Sequence, residues 1–155
     1  MNNSDYIEQL LSDQKVRMAV VKQSHFWFFH IYFPDYVKYP TADFQKEIFS
    51  ATENENLTQV VIVAFRGSAK STIMTLSYPL WAMLGKPGKK FITIISLTQQ
   101  QARLILSNIK RELETNELLI RDFGPFNDND YEWRADSLMI FKHDTRIMAL
   151  STGEI

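Results

Sequence analysis

The chain has no cysteine. That absence removes disulfides, thiol nucleophiles and thiolate-held zinc together, and it fits a reducing compartment. Neither sign of charge is in excess, because 17 Lys and Arg stand against 18 Asp and Glu for a formal net charge of −1. Any contact with DNA therefore falls to a local patch and not to the global balance. Long apolar runs are missing as well. The greasiest stretch, residues 26–33, is interrupted by His30 and is far shorter than the roughly 20 residues of a membrane-crossing helix, so no membrane association is expected. The start, Met1-Asn2-Asn3-Ser4-Asp5, has no basic region followed by an apolar one; a secretory signal is not expected there, and the cytoplasm is the default compartment. No repeat or low-complexity segment occurs. His25, His30 and His143 lack carboxylates at the spacing that would argue for zinc.

What is present starts with enough apolar sequence for a real core, 45% of 155 residues. The most informative run is Val60-Val61-Ile62-Val63-Ala64-Phe65-Arg66-Gly67-Ser68-Ala69-Lys70-Ser71-Thr72-Ile73. It reads as a buried β-strand, a loop of small residues and the start of a helix, the layout of a phosphate-binding loop. Successive backbone N–H groups surround a phosphate, Lys70 reaches the outer phosphates, and the Ser71 hydroxyl can ligate Mg²⁺. The usual pattern G-x-x-x-x-G-K-[ST] has glycine at both fixed positions, where this chain has Ala64 and Ala69. The context supplies the strand and helix that the motif requires, with Ile73, Leu76, Leu80 and Leu84 following at helical spacing.

Periodicity places further elements around the loop. Residues 5–23 read as an amphipathic helix capped by Ser4, with Ile7, Leu10, Leu11, Met18 and Val21 as its apolar stripe. The aromatic block at residues 25–33 reads as core, since a base-stacking platform would be interleaved with Lys and Arg and this block has neither. A second helix is expected over 41–50 with Thr41 as its cap. It carries Gln45 about 25 residues ahead of Lys70, where an amide can donate to and accept from an adenine edge. A strand at 91–96, a helix at 99–114 and two short strands near 137–141 and 146–150 follow. Their alternation predicts an α/β fold with a parallel sheet. Arg103, Lys110 and Arg111 face outward on the second of these helices, beside Glu112 and Glu114, and read as a solvated face that can also meet DNA phosphates. Residues 127–132 carry acids at the spacing of a Ca²⁺ loop but place Trp133 and Met139 where glycine and glutamate are needed, so they read as a polar loop.

Residues from about 41 to 155 resemble the ATPase region of the large terminase subunit, the motor that packages DNA into the proheads of tailed phages and related viruses. Arg66-Gly67-Ser68-Ala69-Lys70-Ser71-Thr72 is similar to that family's variant loop, with an early arginine and alanine in place of a glycine. Phe44-Gln45 resembles its adenine-binding segment. Residues 91–97 with Thr98-Gln99-Gln100-Gln101-Ala102 resemble its second strand and helix, and Ala149-Leu150-Ser151-Thr152-Gly153 the stretch that leads to its Walker B strand. The resemblance implies a partial P-loop NTPase domain over 41–155 behind an N-terminal helical and aromatic segment over 1–40. It implies ATP and Mg²⁺ as cofactors, with Gln45, Arg66, Gly67, Ser68, Ala69, Lys70, Ser71 and Thr72 holding the nucleotide. Lys70 and Arg66 would assist the chemistry and Ser71 would ligate the metal. Double-stranded DNA, a portal protein, a small terminase subunit and other copies on the portal are the implied partners, and the cytoplasm of a bacterial host the implied compartment.

The sequence departs from the family in having no apolar strand that ends in Asp-Asp or Asp-Glu. Asp128, Asp130, Asp136 and Asp144 do not follow runs of four apolar residues, so none carries over as the Mg²⁺ aspartate, and no glutamate is placed to activate water. The resemblance therefore implies a piece of a longer motor, competent to bind ATP and not to hydrolyse it, whose central strand lacks its usual neighbours and whose exposed edges favour association. Two other readings stand beside it: a helicase-like ATP-dependent DNA translocase, and a non-catalytic nucleotide- or phosphate-binding interaction module.

Overall fold

A computed structural model describes residues 12–126 and 133–154 of the chain. The fold is mixed α/β. It divides into two compact units, Met1–Trp81 and Ala82–Ile155.

In the first unit, α1 (Gln14–Gln23) and α2 (His25–Tyr32) are separated by the single extended residue Ser24. The helix expected as one run over 5–23 is interrupted at Asp13, and the expected cap Ser4 lies outside the described residues. The physical reason is local: the Asp13 carboxylate accepts from the amides of Lys15 and Val16 at 2.8 and 3.2 Å, and a short acidic side chain favours such a cap over continuing a helix. Ser24 caps α2 in the same way, its Oγ accepting from Trp27 N–H and donating to Glu53 Oε1. The aromatic block is core, as expected, with Phe28, Phe29, Ile31, Tyr32 and Phe33 buried.

Helix α3 (Asp43–Glu53) is capped by Ala42 and not by Thr41. The Thr41 hydroxyl is already taken. His30 Nδ1 lies 2.8 Å from Phe26 O and must carry the proton to donate to it, so His30 Nε2 accepts from Thr41 Oγ1 at 2.7 Å. The Ala42 N–H is met instead by Gln45 Oε1 at 3.0 Å.

Residues 60–65 do not form the buried strand read from the sequence. They pair with no strand among the described residues, and Val61 and Val63 are 89% and 91% exposed. A β-branched run fits a pleated surface only when neighbours supply the other half of the ladder, and no neighbour does so here. After the loop at 66–69, a helical run begins at Lys70. It passes through a π-helical turn, Thr72–Ser77, into α4 (Tyr78–Leu84), and the boundary between the two units falls after Trp81.

The second unit holds a three-stranded sheet in the order β1-β3-β2, made by β1 (Phe91–Ser96), β2 (Ser137–Ile140) and β3 (Thr145–Ser151). β1 and β3 run parallel, with Phe91 opposite Arg146 and Ser96 opposite Ser151, whereas β2 and β3 form an antiparallel hairpin. The sheet is therefore mixed and not wholly parallel. Helix α5 (Gln99–Thr115) makes the crossover from β1. It buries Ala102, Leu106, Ile109 and Leu113 at 3.6-residue spacing and packs on β1 and β3, while α6 (Glu117–Phe123) packs on α5. Leu138, Ile140, Ile147 and Ala149 complete this core. On β1, Phe91 and Ile95 project to the opposite face and are exposed.

Candidate phosphate-binding loop

Residues 65–72 turn from extended chain into a helix within one short loop, and two of them do so with left-handed backbone. Gly67 has φ +87° and Ala69 has φ +60°, while Ser68 between them has no positive φ. Alternation of hand over successive residues turns their N–H groups toward one concave side, the arrangement that binds anions. The strain explains why the usual motif has glycine where this chain has Ala69, since an L-residue pays for the left-handed region.

The helix adds donors to the same concavity. Its first main-chain bond runs from Ile73 N–H to Ala69 O at 3.0 Å, so the amides of Lys70, Ser71 and Thr72 are the first-turn donors that no helical carbonyl can meet. Lys70 N–H makes a long contact with Ser68 Oγ at 3.4 Å, and Ser68 N–H donates to Phe65 O at 3.3 Å. The partial positive charge of the helix end reinforces the preference for an anion. Arg66, Gly67 and Ser71 are exposed, Ala69, Lys70 and Thr72 are half-buried, and Ser68 is buried at 3% exposure. Arg66 and Ser71 thus reach solvent on either side of a buried serine.

Helix α3 holds the loop at its entry and at Ser68. Phe44 meets Phe65 edge to face with ring centroids 5.2 Å apart. Gln45, the expected adenine contact, spends its amide inside the protein: Oε1 accepts from Ala42 N–H and Nε2 donates to Ser68 O, each at 3.0 Å. One N–H and one oxygen lone pair of that amide remain. Gln45 also lines a cavity of about 160 Å³ with His30, Tyr36, Tyr39, Gly67 and Ala69. The volume falls below the roughly 300–1,000 Å³ of a cleft for a whole ligand, so it does not enclose a whole nucleotide. A larger groove of about 440 Å³ runs along Phe44, Ile48, Val61 and Val63. None of residues 66–72 lines it, whereas Gly67 and Ala69 line the smaller cavity, which is therefore the one tied to the loop.

Beneath the helix that follows lies a buried network that the sequence did not disclose. Thr52 Oγ1 donates to Phe49 O at 2.7 Å, so it accepts from His25 Nδ1–H, also at 2.7 Å, which leaves His25 Nε2 to accept from Ser77 Oγ at 3.0 Å. The ring stacks on Trp81 and meets Phe49 edge to face. Burial without a charged partner pushes the His25 pKa down to about 3. His30 is lowered too, by burial opposed by its bond to Phe26 O. Only an isolated histidine in an aromatic run marks this network in the sequence.

Asp136 pairs with Arg103 at 3.4 Å, Asp144 closes the β2–β3 turn with φ +49°, and Asp128 and Asp130, with the whole of 127–132, lie outside the described residues. Among the described residues no group of three His, Cys, Asp or Glu is placed to hold a metal. The outward base Lys110 donates to Arg134 O, and its partial burial lowers its pKa against the pull of Asp136 and Glu114. Arg111 is exposed. No described helix is long and apolar enough to cross a membrane.

No family model matches the chain, and neither curated proteins nor solved structures contain a match to it.

Proposed function

We propose that the chain binds the phosphates of ATP with Mg²⁺ through residues 66–72, as the ATP-binding part of a DNA-packaging motor of the terminase large-subunit type with a P-loop NTPase core. The observation that carries this reading is the alternation of hand at Gly67, Ser68 and Ala69 running directly into the helix at Lys70. Left-handed backbone at an alanine costs about 1–2 kcal/mol, and strain of this kind clusters at ligand-binding sites.

In this reading the amides of Gly67 and of residues 69–72 surround the β- and γ-phosphates, the Ser68 N–H being held by Phe65 O, and Lys70 neutralises them as a point charge. Arg66 reaches the γ-phosphate from the loop's exposed side. The exposed Ser71 hydroxyl suits Mg²⁺, a hard cation usually held by one or two protein oxygens together with phosphates and water. When bound, the ion would supply charge neutralisation across the phosphates. Gln45 offers its remaining donor and acceptor to an adenine edge in the cavity beside Tyr36 and Tyr39. Translocation of double-stranded DNA, the portal and small-subunit partners, and assembly on a portal belong to the whole motor and to a bacterial host cytoplasm.

A second reading is a non-catalytic phosphate-binding module. One observation favours it: the Gln45 amide is bonded inside the protein, to Ala42 N–H and to Ser68 O.

Calorimetric titration with Mg·ATP tests the proposal, with Lys70→Ala as control and GTP as competitor. The expected result is ATP-selective binding that Lys70→Ala abolishes. A folded wild-type chain that binds no nucleotide would overturn it.

A further inference from the structure

We infer that Gln45 is a positioning residue that sets the shape of the phosphate loop by holding the Ser68 carbonyl. The inference rests on the phosphate-binding reading above and assigns to Gln45 a role separate from any contact with a base.

In a loop that turns its N–H groups inward, the carbonyl between the two left-handed residues is turned the other way and needs its own donor. Ser68 is 3% exposed, so water is a poor substitute. Gln45 Nε2 donates to that carbonyl at 3.0 Å across 23 residues of sequence. The donor is itself fixed, because Gln45 Oε1 is held by Ala42 N–H at 3.0 Å, which sets which end of the amide faces the loop. The contact between Phe44 and Phe65 anchors the loop's entry from the same helix turn. Together they tie the Ser68 carbonyl, and with it the left-handed residues on either side, to the N-terminus of α3. Without the amide, the peptide between Ser68 and Ala69 is free to rotate, and the amide of Ala69 no longer points where the phosphate must lie.

Magnesium tripolyphosphate separates this role from base recognition, since it has phosphates and no base. Calorimetry on the full chain compares wild type, Lys70→Ala, Gln45→Ala and Ala42→Pro. The Ala42 backbone, at φ −71° and ψ 157°, accepts proline, which removes the N–H that Gln45 caps and leaves the bond to Ser68 available. Gln45→Ala is expected to weaken tripolyphosphate about tenfold, or about 1.4 kcal/mol, and Ala42→Pro to stay within about twofold of wild type. Unchanged binding by Gln45→Ala confines Gln45 to the base or to nothing and overturns the inference. Equal losses in Gln45→Ala and Ala42→Pro reduce Gln45 to a helix cap and overturn it as well. If Gln45→Ala does not fold, Gln45→Glu keeps the cap acceptor but cannot donate to Ser68. Measured in high salt to screen its added charge, it is expected to lose binding, and retained binding overturns the inference. Wild-type binding that is absent, or indifferent to Lys70→Ala, fails the phosphate-binding reading itself. Binding lost in Lys70→Ala but intact in Gln45→Ala fails the positioning role alone.

Discussion

Ala69 carries the clearest strain at the scale of single residues. Its φ of +60° costs a non-glycine residue roughly 1–2 kcal/mol, part of which glycine would return as added unfolded-state entropy. Ala69→Gly is expected to raise stability by up to about 1 kcal/mol in urea denaturation. Gly67→Ala, where an added Cβ meets nothing within 4 Å, is expected to lower it by about 1–2 kcal/mol through backbone strain alone. His25 gives a second test through pH. Its pKa falls from 6.5 to about 3 in the fold, so between those values the unfolded chain binds the extra proton. This contribution is complete above pH 6.5 and is lost as pH falls toward 3, at about 1.4 kcal/mol per pH unit. His30 adds in the same direction. Denaturant midpoints of wild type and His25→Gln at pH 7 and 5 check this: the variant is expected to show the shallower decline, and parallel slopes would mean that His25 is protonated or exposed.

Among the elements, residues 60–65 pair with no described strand and expose Val61 and Val63, and an unpaired edge beside valines is a template for association. Val61→Lys and Val63→Lys are therefore expected to shift stability by less than about 0.5 kcal/mol while reducing self-association in sedimentation. A large loss of stability would mean that the run is packed. Leu106→Ala, in the fully buried stripe of α5, is expected instead to cost about 2–5 kcal/mol by thermal or chemical unfolding. The contrast explains what could be read from the sequence. α5 announces itself because Leu106, Ile109 and Leu113 repeat at 3.6 residues against a sheet of their own unit, and the β2–β3 hairpin because two short runs flank a turn-forming stretch. Residues 60–65 misled because β-propensity states a fit to neighbours and says nothing of whether they exist. Thr41 misled as a cap because His30, 11 positions away in sequence, had claimed its hydroxyl. The loop was legible from Lys70-Ser71 and small neighbours, but the bond from Gln45 to Ser68 depends on a 23-residue closure that no local pattern encodes.

Over the whole molecule, a formal net charge of −1 gives no general field for DNA, and no strand that ends in paired acids occurs among the described residues. Ligand linkage should appear, since a ligand that binds only the folded state at 100 times its Kd stabilises it by about 2.7 kcal/mol. The most direct test of the central claim is calorimetric titration of the chain with Mg·ATP beside Lys70→Ala. Saturable one-to-one binding that Lys70→Ala abolishes is the expected result; no heat of binding from a wild-type chain shown to be folded would contradict it and reduce residues 66–72 to a strained turn.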